Sequence, residues 1–223
     1  MPIDMGDLQN TLKEMKAMHI AGRRGSHNVA VRKQTFIRKL HSYAIRELNR
    51  AGIVEGRDIE ILTEKKILGS FKQKNVDILV RHKISGALIV VSVKSLMSSI
   101  TANFTNTYEA MIGDSSVMHE RFPYLIMTEL FLFPKKVLDS RETYPLPYYS
   151  NLLSKINKRQ SQIDDNKKYE RIGLLVVDFE KPIPEIYHSP KEDADLNIET
   201  FFDDVKKIYD YRYEDLLVTR HKD

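Results

Sequence analysis

Two apolar segments, Val76-Asp77-Ile78-Leu79-Val80 and Ala87-Leu88-Ile89-Val90-Val91-Ser92-Val93, flank the polar stretch Lys83-Ile84-Ser85-Gly86. Short β-branched runs on either side of a glycine-bearing turn predict a β-hairpin, with Gly86 free to take a positive φ. A symmetric four-residue loop pairs His82 with Ala87, so that partner numbers sum to 169 and Asp77 falls opposite Ser92. Side chains alternate along a strand. Val76, Ile78, Val80, Ile89, Val91 and Val93 are therefore expected on one core face, and Asp77, Leu79, Val90, Ser92 and Lys94 on the other.

The same periodicities organise the rest of the chain. Leu8, Leu12 and Met15 recur at helical spacing and predict a short helix over residues 7–19, followed by a basic glycine-bearing loop through Arg23 and Arg24. Phe36, Leu40, Tyr43 and Leu48 mark a second helix over 29–50, with Glu47 leaning toward the Tyr43 side. Residues 58–68 contain a strand, 102–120 a helix capped from Ser98-Ser99 and broken before Pro123, and 124–133 a strand buried on both faces. Residues 135–168 are polar and read as an insertion with a helix near 149–162. A buried strand over 172–179 and a terminal helix over 198–209 complete the order. This is an α/β pattern, α-β-β-β-α-β-β with a helical insertion, which packs as a mixed central sheet flanked by helices.

Composition narrows the setting. The 223 residues are 42% hydrophobic and 30% charged, enough for one well-buried domain with an insertion. The absence of cysteine excludes disulfides and thiolate metal sites and fits a cytoplasmic protein. No apolar run reaches the roughly 18–20 residues that span a bilayer, and the first residues lack an apolar signal core. The net charge of +4 suits a polyanionic partner. The seven histidines have no metal-binding spacing and the glycines form no phosphate-cradling pattern.

An acid inside one apolar strand and a lysine closing the next need partners, because buried charges are seldom left unpaired. A solvated Asp77–Lys94 pair on an ordinary hairpin is the plain alternative, worth about 0–1 kcal/mol. The element order favours a site. With Asn75-Val76-Asp77, Ser92-Val93-Lys94 and the helix segment Asn103-Phe104-Thr105-Asn106-Thr107-Tyr108-Glu109-Ala110-Met111-Ile112-Gly113-Asp114, the chain resembles the PD-(D/E)XK nucleases, more narrowly type II restriction endonucleases. It departs from their pattern at Val76, where proline is usual, and at Ser92, where the second acid is usual.

The resemblance implies a restriction-endonuclease-like fold, with residues 1–223 as one nuclease domain and with the arm 1–28 and the insertion 135–168 in DNA or dimer contacts. It further implies Mg²⁺, with Mn²⁺ able to substitute, held by Asp77, the Val93 carbonyl and a helical glutamate, Glu109 or else Glu47. Lys94 would contact the attacking water and the phosphate, and Ser92 would donate a supporting hydrogen bond. Glu47 has a structural alternative in pairing with Arg50 or Lys39, and Asp114 and His119 read as helix-surface residues. Candidate DNA contacts are Arg23, Arg24, Lys158 and Arg159. The implied activity is cleavage of double-stranded DNA at a specific, two-fold symmetric site by a homodimer. A repair or recombination nuclease of the same fold, and a non-catalytic DNA-binding protein on a degenerate nuclease fold, are the competing expectations.

Overall fold

In the computed structural model, residues 2–23, 29–96, 100–139, 144–188 and 196–218 are described. Two helices, α1 (Met5–Arg23) and α2 (Val29–Arg50), lead into β1 (Ile59–Leu68), β2 (Gln73–His82) and β3 (Gly86–Ser95). Then come α3 (Ile100–Arg121), β4 (Ile126–Pro134), α4 (Lys135–Leu138), α5 (Leu146–Lys155), β5 (Arg171–Asp178), β6 (Glu185–His188) and α6 (Phe201–Val218). The strands form one sheet in the order β1-β2-β3-β4-β5-β6. Its first three strands are antiparallel, β3, β4 and β5 run parallel, and β6 returns antiparallel to β5. The expected α/β class and mixed sheet flanked by helices are those of the structure.

The alternation of strand side chains builds two cores. Ile89, Val91, Val93, Leu130, Leu132, Leu175 and Val177 meet Leu8, Leu12 and Met15 of α1, Leu40, Tyr43 and Leu48 of α2, and Phe201, Phe202 and Val205 of α6. On the opposite face Leu79, Val90, Met127, Phe131, Phe133 and Leu174 meet Ile100, Phe104, Met111 and Met118 of α3 and Tyr149 and Leu153 of α5. Central strands covered on both sides bury every position, as β4 does.

Boundaries depart from expectation where local signals were weak. Helix α1 runs four residues past His19, into the segment expected to be a basic loop. Helix α5 begins behind Pro145 and stops at Lys155, well short of Gln162. Helix α6 continues beyond Tyr209 through a kink at Tyr213. The hairpin keeps the 169 register at Ile78↔Val91, Leu79↔Val90 and Val80↔Ile89, but its tip closes as His82↔Gly86 around a three-residue loop. A bulge after Val80 absorbs the difference, with Gly86 at φ +89° and the His82 imidazole accepting the Ile84 and Ser85 N–H groups.

One face assignment is corrected. Val76 packs in the α3-side core whereas Ile78 packs in the α2-side core, so the alternation breaks at Asp77. Opposite this break β1 carries Glu64 at φ 50°, between the pairs Thr63↔Ile78 and Lys65↔Val76. A non-glycine residue in the left-handed region is held by its surroundings. Arg38 of α2 supplies them with two bonds to the Glu64 carboxylate, at 2.9 and 3.1 Å.

Candidate functional site

The kink in β2 sets the geometry of the site. The paired Cα positions of β2 and β3 end at Ile78↔Val91, and the Asp77 carboxylate takes over by accepting the Val93 N–H at 2.7 Å. A carboxylate bonded to a backbone N–H in this way is fixed in direction. Its second oxygen, Oδ1, stands 3.9 Å from Nε2 of His41, a buried residue of α2.

Beside it, on the α3 face, lies a pocket of about 260 Å³ lined by Lys74, Lys94, Asn106, Thr107, Ala110, Met111, Asp114 and Glu129. Lys74 and Lys94 come from β2 and β3, Glu129 from β4 and the remainder from α3. Asp114 bonds Lys74 and, at 2.9 Å, Lys72. Burial alone would raise the Asp114 pKa, but the two lysines outweigh it and hold the carboxyl below its usual range. Burial pushes the Glu129 carboxyl up to about 7, with Lys94 and Lys74 pulling down and Asp77 and Asp114 adding to the rise. Burial also lowers the His41 pKa, opposed chiefly by the field of Asp77. Asp77 and Lys94 thus act on the same two buried groups, Glu129 and His41.

The expected residues divide into those brought together and those left out. Ser92 is buried at the level of Glu129 in the parallel β3–β4 pair. The Val93 side chain packs in the α2-side core while its N–H is tied to Asp77. Glu109 is exposed and outside the pocket lining. At about 100° per residue it lies some 200° round α3 from the buried Met111, whereas Thr107 and Asp114 are half-buried and line the pocket. Glu47 is buried, but against the start of the chain: it accepts the Asp4 N–H at 3.3 Å and lies 3.6 Å from Arg50. That is the structural pairing expected of it.

Three surface readings are corrected. Arg159 is fully buried in an ion pair with Glu170, so it offers no side chain to DNA. His119 is buried, its Nδ1 near the Ser115 hydroxyl and its Nε2 3.3 Å from Glu170. Asp114 belongs to the pocket. Lys158 is exposed, with φ 60°. Arg24 and the side chain of Arg23 lie outside the described residues.

Sequence reasoning passed over Glu129 and His41. Each has a buried atom, Oε1 and Nε2, with no hydrogen-bond partner. The signal for Glu129 was present as a lone acid in a nine-residue apolar strand. Among the described residues no group of three or more histidine, aspartate or glutamate side chains is arranged to hold a metal ion, and no helix is long and apolar enough to cross a membrane. No protein-family model, curated protein or solved structure matches the chain.

Proposed function

We propose that the protein is a Mg²⁺-dependent endonuclease of the PD-(D/E)XK kind, hydrolysing phosphodiester bonds of double-stranded DNA. The observation that carries this reading is the direction-locked Asp77 carboxylate at the end of the β2–β3 ladder, in a common electrostatic field with Lys94. Mg²⁺ prefers oxygen donors and keeps several waters, so one or two carboxylates and a phosphate oxygen suffice for it. Asp77 Oδ1, left free while Oδ2 holds the Val93 N–H, is an oxygen donor suited to such an ion. Bound there, it would lower the pKa of a coordinated water and polarise the phosphate.

The chain's own groups have distinct tasks. Asp77 presents Oδ1 while Oδ2 stays on the Val93 N–H. Lys94 offsets negative charge at the scissile phosphate from the pocket wall. Ser92, buried beside it, donates a supporting hydrogen bond. Recognition of a two-fold symmetric site would require two copies of the chain, one for each strand.

Plasmid and phage DNA incubated with the purified protein and Mg²⁺ test the reading. Discrete, metal-dependent fragments that vanish with chelator and with Asp77→Ala are expected. A protein that binds DNA yet nicks no form of it in Mg²⁺ or Mn²⁺ is instead the non-catalytic binding protein, the reading favoured by Ser92 standing where the second acid is usual.

A further inference from the structure

A fully buried carboxylate needs a reason, and this chain displays two such cases side by side. Glu170, at the start of β5's approach, is met by Arg159, Arg212, His119 and the Met127 N–H. Glu129 is just as buried, yet its Oε1 has no hydrogen-bond partner. The other polar side chain of β4's interior, Thr128, satisfies itself by donating to the Val90 carbonyl at 3.1 Å. Leaving an ionisable group desolvated and unpaired is costly unless something binds it.

The position of Glu129 is equally specific. Its Cα partner in the parallel ladder is Ser92, one strand spacing away, about 4.8 Å. Its strand neighbours at two-residue spacing, Met127 and Phe131, belong to the α3-side core, so Glu129 faces the pocket that also receives Lys74 and Lys94. The carboxylate missing from β3 therefore has a counterpart at the same level on β4. Helix α3 does not provide one through Glu109, which turns away from the pocket.

We propose that Glu129 is the second metal-binding carboxylate of this site, acting from β4 in place of the acid that Ser92 replaces on β3. This rests on the nuclease reading for its role in cleavage, but not for its role in holding a cation. Glu129 and Lys94 line the pocket from β4 and β3, and Asp77, on β2 at the far side of β3, stands outside that lining but close enough for its charge to act on Glu129.

The full-length protein is titrated with Mn²⁺, free ion being read by electron paramagnetic resonance, for wild type, Glu129→Gln, Asp77→Asn and Glu109→Gln. Cleavage of plasmid DNA is followed in parallel. Glu129→Gln keeps the side chain's shape and removes a buried charge, so it is expected to fold; circular dichroism melting checks this, with Glu129→Met as the second variant. Both Glu129 variants should weaken Mn²⁺ binding at least about tenfold, on the scale of changes to metal-site partners, and Glu109→Gln should not. Adding Ser92→Asp to Glu129→Gln should restore part of the binding. Wild-type Mn²⁺ affinity in folded Glu129→Gln or Glu129→Met overturns the assignment, whether or not DNA is cut. Loss of Mn²⁺ binding in a protein whose wild type cuts no DNA supports the cation site and removes the nuclease reading alone. A wild type that binds no Mn²⁺ overturns the proposal.

Discussion

Arg159 Nη1 lies 3.1 Å from Glu170 Oε1, and both side chains are fully removed from solvent. The same carboxylate also receives Arg212 at 2.8 Å and the Met127 N–H at 2.8 Å, while Arg159 donates further to the Pro123 and Gln162 carbonyls. One acid thus joins the insertion, the entry to β4 and helix α6. A polar segment that looks solvated in the sequence is anchored in the core.

Removing that acid should be expensive. Glu170→Ala leaves two guanidinium groups buried without their carboxylate, a change that typically costs about 3–5 kcal/mol. The urea unfolding midpoint should fall accordingly. A shift comparable to that of an exposed salt-bridge variant would place the stabilisation elsewhere.

The same network sets an acid limit. Burial alone would raise the Glu170 pKa, but bonds from His119, Arg212 and the Met127 N–H outweigh it and hold the carboxyl below its ordinary 4.5. A folded-state pKa below the unfolded one stabilises the fold above the ordinary value, and that contribution is lost as pH falls through the depressed value. Melting temperatures of wild type and Glu170→Gln should therefore converge as pH drops below 4.5. A constant gap across that window would mean that the carboxylate's charge is not what stabilises.

Close approach governs a second position. A Cβ at Gly173 would sit 2.9 Å from Phe201 Cδ2 and 3.1 Å from Leu130 Cδ1, so β5 can take the start of α6 only with glycine there. Gly173→Ala should cost about 1–3 kcal/mol through overpacking, measured by thermal or urea unfolding. Unchanged stability would show that α6 can lift from the sheet freely.

Much of this fold could be read from periodicity, because alternation and helical stripes are local. The 169 register holds from Ile78↔Val91 to Val80↔Ile89, where the alternating side chains of the pair feed the two cores in turn. What alternation could not reveal was the reversal at Asp77, which lies opposite the left-handed Glu64 of β1. Helical spacing put Glu47 on the buried stripe correctly, but a stripe does not say what each turn meets. Six residues, about 9 Å along the axis, separate Glu47 beside Asp4 from His41 beside Asp77. Arg159 and Glu129 were misread for opposite reasons. The partner of Arg159 follows eleven residues later, just ahead of β5, and Glu129 was hidden in a strand that otherwise reads as pure core.

Asp77 has a structural bond and a proposed chemical task, and one substitution separates them. In Asp77→Asn the amide oxygen can still accept the Val93 N–H, so stability should stay within about 0.5 kcal/mol of wild type. Cleavage should fall by roughly 10²–10³, the scale of losing one preorganised electrostatic group. Full activity in Asp77→Asn would reduce Asp77 to a tie between strands.

His41 offers the sharpest contrast between stability and activity. Its Nε2 is buried, has no hydrogen-bond partner and stands 3.9 Å from Asp77 Oδ1. A desolvated polar atom left unsatisfied costs about 1–3 kcal/mol, so a stability-driven site would carry an apolar residue there. His41→Leu, similar in size, should match or exceed the wild-type unfolding midpoint. If His41 positions the Asp77 carboxylate from α2, the same variant should slow cleavage about tenfold, the scale of losing one supporting partner of a metal ligand. His41→Gln, which keeps a donor, should recover part of that loss without changing the midpoint further. Wild-type cleavage by His41→Leu would leave the imidazole as packing and the orientation of Asp77 to the Val93 N–H alone.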